Sequence, residues 1–334
     1  MLCTCQPGFE SLLGLEMGAL GFATQEIGPG WVLSNAPTPT PMPEVAFAYL
    51  IFNSPVEIQA DSVNALAQKV LDYFMKALGP TRIDEAWPCV WQFEAELVGL
   101  GRRVSAVEAA FLEMLKKRMS RLAKLAVNAT PRESGDVKGL FVRFVDFGRA
   151  YVSFEAFSNG QKRMADDDYA PSRSYLKVEE AYVVLGIDPK ENETVVDLGA
   201  APGGWSYSAA RHGAKVIAVD NGPLKAGALN NDLIEHVLAD AFGYCPPDNA
   251  QVDWLFCDLV EDPNHVLDNL ITPWLTKGWC KRFVINFKFG RADPIALLKQ
   301  LRSPTSPFVT HAKYFKIRHL FHDREEFTVV GSTV

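Results

Sequence analysis

The sequence predicts an α/β protein: a doubly wound parallel sheet with helices on both faces, preceded by a smaller α+β part. Three observations carry this. Beyond residue 165, apolar strand-like runs alternate with helical segments, which is the signature of parallel strands joined by helices. A glycine-rich turn at 199–204 follows the first of these strands, and Asp220 ends the next one. Before residue 165 the order is instead helix, helix, strand, strand, which makes a separate α+β unit. A chain of 334 residues is long enough for two domains, or for three small ones.

The first 55 residues read as short apolar segments broken by turns. Within them, Pro37, Pro39, Pro41 and Pro43 alternate between Ser34 and Glu44 and forbid helix there. From Asp61 the spacing turns helical: Val63, Leu66, Val70, Phe74 and Leu78 share one face, Asp61 or Ser62 caps it, and Gly79-Pro80 ends it. A second helix is expected to open at the capping box Ser105-Ala-Val-Glu108 and to bury Val107, Phe111, Leu115, Leu122 and Leu125. Leu140 to Phe147 and Ala150 to Phe157 then read as two strands around Gly148. The polar stretch Gln161 to Arg173, with three successive aspartates, is the expected linker.

In the second half the expected strands are Thr194 to Leu198, Lys215 to Val219, Val252 to Cys257 and Arg282 to Phe289. Gly204 to His212 reads as a helix stopped by Gly213, and another helix opens at Asp262-Pro263 and closes at Gly278.

Charge is distributed unevenly. The total of −7 argues against a phosphate-rich partner, which needs clustered Lys and Arg. Residues 1–101, however, hold three basic residues against eleven acidic ones, whereas residues 102–149 hold eleven against five. A basic island therefore sits mid-chain, and Lys116, Lys117, Arg118, Arg121 and Lys124 share the polar face of the second helix. The six cysteines form no CxxC pair and have no histidine at metal-ligand spacing, so no metal site and no disulfide framework is expected. With no signal-like N-terminus and no apolar run of membrane-spanning length, a cytoplasmic protein without membrane attachment is expected.

Chemistry centres on Val195-Val-Asp-Leu-Gly-Ala-Ala-Pro-Gly-Gly-Trp205. A glycine turn lets backbone approach a ligand, and the acid ending the next strand can accept both hydroxyls of a ribose. The pattern D-x-G-x-x-P-G-G, rather than G-x-G-x-x-G, disfavours a dinucleotide. It resembles the S-adenosylmethionine motif of class I methyltransferases, in the Pro-Gly-Gly-Trp form typical of RNA ribose methyltransferases.

A ribose 2'-hydroxyl is too weakly acidic to ionise at pH 7, so its methylation calls for a base and for cationic stabilisation. Lys177 precedes the first strand, Asp258 and Lys288 lie at carboxyl ends of strands, and Glu326 opens Glu326-Phe-Thr-Val-Val. In that order they resemble the Lys-Asp-Lys-Glu tetrad of the FtsJ-like 2'-O-ribose methyltransferases. Ala170 to Ala181, Val219 to Pro223, Gly278 to Cys280 and His322 to Glu326 narrow the resemblance to the bacterial 23S ribosomal RNA 2'-O-ribose methyltransferase M family. Cys5 to Glu10 and Thr130 to Arg132 resemble the N-terminal half of that family more weakly.

The resemblance implies a Rossmann-like class I methyltransferase domain with a mostly parallel seven-stranded sheet over 166–334. Before it would come a ferredoxin-like piece over 1–58 and a THUMP-like RNA-binding domain over 59–165. It implies S-adenosylmethionine as cofactor, bound by Ser174, Gly199, Ala201, Pro202, Gly203, Gly204, Asp220, Asp240 and Asp258, and no metal. The implied substrate is a cytidine in the peptidyl-transferase region of 23S rRNA, reached before ribosome assembly is complete. Lys288 would be the base, with Lys177, Asp258 and Glu326 around it. A lysine amine must be neutral to take a proton, so the like charge of Lys177 is expected to lower the pKa of Lys288 while the two acids orient both amines.

Three competing readings remain beside this one: the same chemistry on another RNA, a non-catalytic RNA-binding assembly factor, and methylation of a base. An intact tetrad disfavours the second. Asp258-Leu-Val-Glu261 lacks the Pro-Pro-aromatic run of amino-group methyltransferases, and strand alternation turns Cys257 away from Asp258 as a nucleophile. Lys313, Lys316, Arg318, His319 and Arg324 flank Glu326 and are candidates for an RNA entrance.

Overall fold

The computed structural model describes residues 1–37 and 39–334, and Thr38 of the proline-rich stretch lies outside the described residues. The chain divides into two compact units: Met1–Pro43 with Phe47–Gly160, and Glu44–Ala46 with Gln161–Val334. The described residues between Ser34 and Leu50 form neither helix nor strand, as alternating prolines require.

The first unit carries, in chain order, β1 (Leu2–Thr4), α1 (Glu10–Ala19), β2 (Thr24–Gly28), β3 (Trp31–Ser34), β4 (Leu50–Phe52), β5 (Val56–Gln59), α2 (Val63–Leu78), β6 (Trp87–Phe93), α3 (Leu100–Arg118), α4 (Ser120–Leu125), β7 (Ala126–Val127), β8 (Gly135–Asp146) and β9 (Arg149–Ser158). Its strands make one sheet in the order β2-β3-β1-β4-β9-β8-β6-β7, with β5 on β9. The segments 1–58 and 59–160 therefore share a sheet, because β4 pairs antiparallel with β9 over Leu50–Phe52 and Ala156–Ser158. Helix α2 forms as its spacing predicts: the Ser62 hydroxyl accepts from Ala65 N, Gly79 caps the end at φ 54°, and Leu66, Val70, Phe74 and Leu78 are buried.

Helix α3 departs from its expected start. It opens at Leu100, one turn before the Ser105 capping box, because Leu100 and Val104 extend the apolar stripe and are buried. Ser105 is then interior, and its hydroxyl donates back to Gly101 O at 3.0 Å. The helix also breaks at Met119 (φ −144°, ψ 73°), so Leu122 is buried from the separate helix α4 and Leu125 is only half-buried.

The second unit carries α5 (Tyr175–Leu185), β10 (Thr194–Leu198), α6 (Gly204–Arg211), β11 (Lys215–Val219), β12 (Ile234–Val237), β13 (Val252–Cys257), α7 (Pro263–Val266), α8 (Thr272–Thr276), β14 (Cys280–Lys288), α9 (Pro294–Leu301), α10 (Pro307–His311), β15 (Tyr314–Arg318) and β16 (Glu326–Ser332). Its sheet is seven-stranded, in the order β12-β11-β10-β13-β14-β16-β15. Strands β10 to β14 run parallel and β16 runs antiparallel between β14 and β15. Helices α5 and α6 bury Val178, Trp205 and Ala209 with Val195, Trp254, Phe256 and Val284. The chain order reverses between β10 and β13, which opens a crevice at their carboxyl ends.

In the first unit, Phe74 stacks on Trp87 with ring centroids 4.9 Å apart and meets Phe111 edge-on at 6.1 Å. Phe74→Ala is expected to destabilise that unit by about 3–5 kcal/mol, the cost of deleting a large buried aromatic. Urea unfolding followed by tryptophan fluorescence measures it.

Candidate active site

Strand register builds the site. In the antiparallel pair β14–β16, Lys288 lies opposite Glu326 and Asn286 opposite Thr328, so alternation puts all four side chains on one face. Asp258 follows β13 directly, where Cys257 pairs with Ile285 of β14. Lys177 enters from the first turn of α5. The four expected residues converge into a ring of alternating charge. Lys288 Nζ lies 2.5 Å from Asp258 Oδ1 and 3.0 Å from Glu326 Oε2, and Lys177 Nζ lies 2.5 Å from Glu326 Oε1 and 3.7 Å from Asp258 Oδ2. Side-chain exposures of 12% for Lys177, 15% for Asp258, 23% for Lys288 and 6% for Glu326 make Lys288 the most accessible of the four.

The glycine turn occupies the carboxyl end of β10 in the same sheet. Gly199 (φ 79°) and Gly203 (φ 104°) hold left-handed backbone, and a Cβ on either would come within 2.5 Å of a neighbouring side-chain carbon. Asp220 clamps the turn: one carboxylate oxygen accepts from Ala201 N at 2.9 Å, the other from Gly222 N at 2.7 Å. Ser174 sits against it, its hydroxyl 2.7 Å from that of Ser172 and its carbonyl accepting from Trp205 Nε1 at 2.9 Å. Asp240 is exposed beyond β12 and caps a short turn through Phe242 N. Below the turn, Asp197 is buried, bonded to the Ser206 hydroxyl through one oxygen while the other has no hydrogen-bond partner.

Residues 170–303 match the family described as FtsJ-like methyltransferase. The chain is 30% identical over 360 residues to the ribosomal RNA large subunit methyltransferase M of Histophilus somni (strain 129Pt), covering 97% of each. Identity to the protein of the same name from Stenotrophomonas maltophilia (strain R551-3) is also 30% over 360 residues, covering 99% of this chain and 96% of the relative. The chain belongs to the ribosomal RNA large subunit methyltransferase M family. To the family member from Marinomonas sp. (strain MWYL1) identity rises to 41% over 182 residues, which cover 52% of this chain and 51% of that one.

The electrostatics of this family member's ring differ from the sequence expectation in one respect. Burial disfavours the Lys288 ammonium, but Asp258 and Glu326 outweigh it and hold the amine above the ordinary lysine range. The net shift is opposite in sign to the lowering expected from Lys177, because Lys288 contacts the same two carboxylates that Lys177 does. Glu326 is displaced the other way: burial opposes its charge, yet Lys177 and Lys288 hold it below the usual glutamate range. Deeper acids are raised by burial, Asp197 to about 7 and Glu180 and Asp323 to about 8. Burial also pushes the Cys257 thiol up to about 12, which removes it as a nucleophile.

The candidate RNA entrance shrinks. Arg318 is buried and paired with Glu44, His319 is buried with Nε2 2.7 Å from Arg324 O, and Lys316 Nζ donates to Val184 O at 3.0 Å. Only Lys313 and Arg324 of that group are exposed. In the first unit Lys116, Lys117, Arg118, Arg121 and Lys124 are all exposed, on α3 and α4, but Arg118 and Arg121 face Asp72 and Asp84 at 3.8 and 2.9 Å. Among the described residues no group of three or more His, Cys, Asp or Glu is placed to hold a metal ion, and no helix is long and apolar enough to cross a membrane.

Sequence reasoning missed three polar groups behind the ring. Asn286, Asp323 and Thr328 are buried and bonded to one another, and Asn286 reaches Lys288. The signal was present: Asn286 interrupts an apolar strand two residues before Lys288, hence on its face. Glu180, three residues after Lys177 on α5 and so on the same side of the helix, accepts from Lys162, Phe321 and His322 backbone N–H groups and pins the segment leading to Glu326.

A pH effect follows with a definite sign. Because the folded state depresses Glu326, its stabilisation is present above the ordinary glutamate value of about 4.3 and is lost as pH falls through the lower folded value. The melting temperature of the second unit is expected to fall on acidification below about pH 4.3. Glu326→Gln should lower it at neutral pH and flatten that acid limb, which calorimetric melts from pH 7 to 3 will read.

Proposed function

We propose that the second unit transfers a methyl group from S-adenosylmethionine to the ribose 2'-hydroxyl of a cytidine in the peptidyl-transferase region of 23S rRNA. The observation that supports it most is the Lys177, Glu326, Lys288, Asp258 ring at the carboxyl ends of β13 and β14, in one crevice with the Asp197 to Gly204 turn. Relatives over the full length carry the name of ribosomal RNA large subunit methyltransferases.

The residues suit the cofactor. A turn kept free of side chains at Gly199 and Gly203, carboxylates at the ends of β11 and β12, and a buried unpartnered Asp197 oxygen suit a ligand with a ribose diol and a cationic amino group. Ser174, Ala201 to Gly204, Asp220, Asp240 and Asp258 would hold it. When bound, S-adenosylmethionine supplies an electrophilic methyl on a sulfonium, whose sulfur keeps the electron pair of the bond that breaks.

Within the chain, Lys288 receives the ribose proton as the new oxygen–carbon bond forms. Its elevated pKa means that the resting amine is an ammonium, which binds and polarises the hydroxyl oxygen and must release one proton to solvent before the neutral amine can take the ribose proton. Asp258 and Glu326 fix its position, and Lys177 neutralises the second oxygen of Glu326 so that one carboxylate does not overload one amine. Orientation by such a rigid ring supplies much of the acceleration in a direct displacement.

The first unit, as a ferredoxin-like piece and a THUMP-like domain, would deliver the RNA through Lys116, Lys117, Arg118, Arg121 and Lys124. Its substrate would be cytoplasmic 23S rRNA before full ribosome assembly. No metal takes part in this reading.

Incubation with labelled cofactor and unassembled 23S rRNA, followed by nucleoside analysis, is expected to give 2'-O-methylcytidine; its absence sinks the assignment. Lys288→Ala should reduce the rate about 100-fold or more, as loss of a positioned base does, and turnover should rise with pH. Lys116→Glu with Lys117→Glu should weaken RNA binding at all sequences and shallow its salt dependence by about 0.7–0.9 per lost phosphate contact, measured by filter binding across a salt series.

A further inference from the structure

Lys288 Nζ has three acceptors within reach: Asp258 Oδ1 at 2.5 Å, Glu326 Oε2 at 3.0 Å and Asn286 Oδ1 at 3.4 Å. An ammonium has three N–H groups, so this set saturates the cation; a neutral amine has two and must let one acceptor go. Bonds to carboxylates are about twice as strong as neutral ones. Asn286 is therefore the contact that changes when Lys288 changes protonation.

The orientation of that amide is set from behind. Asn286 Nδ2 donates to Thr328 Oγ1 at 3.2 Å and to Asp323 Oδ1 at 3.3 Å, which uses both of its N–H groups. The Thr328 hydroxyl proton goes in turn to Asp323, at 3.0 and 3.2 Å, and Asp323 also accepts from Leu320 N at 2.9 Å. With its donors committed, Asn286 must present its oxygen to Lys288. All three residues are buried, where an unpaired polar group is costly and an aliphatic side chain would pack without any network. Among the described residues, the bonds of Asn286, Thr328 and Asp323 lead, beyond one another and the Leu320 backbone, to the Lys288 amine.

We propose that Asn286, held in one orientation by Thr328 and Asp323, is a positioning residue that fixes the direction and proton balance of the Lys288 amine facing the ribose hydroxyl. This rests on the reading of Lys288 as the group that meets that hydroxyl. The charged groups around the network are Lys177 and Glu180 from α5, Asp258 after β13, Glu326 from β16 and His319 after β15, and burial with the nearby Glu326 charge pushes Asp323 up to about 8.

The test uses the full chain with Asn286→Asp and Asn286→Leu. Lysine side-chain NMR of the protein without cofactor or RNA, with Lys288 assigned by its loss in Lys288→Ala, reads the amine directly. Asn286→Asp is expected to raise the Lys288 titration by one pH unit or more and to move the rising limb of the pH–kcat profile equally. Asn286→Leu is expected to lower the titration and to reduce kcat about tenfold, the scale of one hydrogen bond to a charged group, with KM for RNA within twofold. Should either variant fail to fold, the near-isosteric Thr328→Val, which frees the amide, is expected to lower kcat and shift the same limb. A Lys288 titration and pH profile unmoved in the folded variants overturn the proposal. If Lys288→Ala is inactive and those profiles stand still, only this proposal falls. If Lys288→Ala transfers methyl groups at the wild-type rate, the base reading falls, and this one with it.

Discussion

In the second unit two ammonium groups each lie within 4 Å of the same two carboxylates, and the architecture around them answers the cost of that arrangement. A buried charge left unpaired costs several kcal/mol. Each amine here touches two carboxylates and each carboxylate two amines, so every charge is met. The ring is cheap only while all four are present, which is why an ordinary helix start, two strand ends and a strand opening must converge with side-chain accuracy.

That convergence is supplied by the sheet. Parallel β13 and β14 bring Asp258 and Lys288 to one edge, and the antiparallel insertion of β16 beside β14 returns Glu326 to the same edge from the end of the chain. A wholly parallel strand in that place would have put its first residue at the opposite edge. The reversal of strand order at β10 and β13 places the glycine turn in the adjoining crevice, where Asp220 clamps it to β11. Fold and chemistry thus depend on the same few strand pairings.

The ring also settles how the amines behave. Proximity of like charges alone would favour a neutral Lys288, but at contact distance opposite charges dominate: at an effective dielectric of about 20, an opposite charge 4 Å away is worth about 4 kcal/mol. The resting Lys288 is therefore a cation, and on the proposed reading it must shed one proton to solvent before its neutral amine can take the ribose proton. The buried Asn286, Thr328 and Asp323 behind it extend the same logic, since a network of hydrogen bonds can set the direction of an amine that two carboxylates only anchor.

Much of this was legible in the linear sequence. Periodicity marked α2, the hairpin β8–β9 and strands β10, β11, β13 and β14, because burial of one face imposes a period of 3.6 or 2 wherever it occurs. The glycine turn stood in plain view, since a turn with positive φ is a statement about residue type, and the resemblance to the FtsJ-like tetrad picked out Lys177, Asp258, Lys288 and Glu326. The start of α3 was misplaced because Ser105 can bond either as a cap or back to Gly101, and only the packing of Leu100 and Val104 decides between them. Likewise, Arg318 and His319 looked like surface charge until burial against Glu44 and Arg324 O was seen. What the sequence determined by itself is local: element type, turn chemistry and the set of reactive groups. What tertiary structure alone decided is the pairing of those groups, the direction in which Lys288 is displaced and the network behind it. Electrostatic and hydrogen-bond energies depend on distances between atoms, and within the ring those distances join residues 30 to 149 positions apart in the chain.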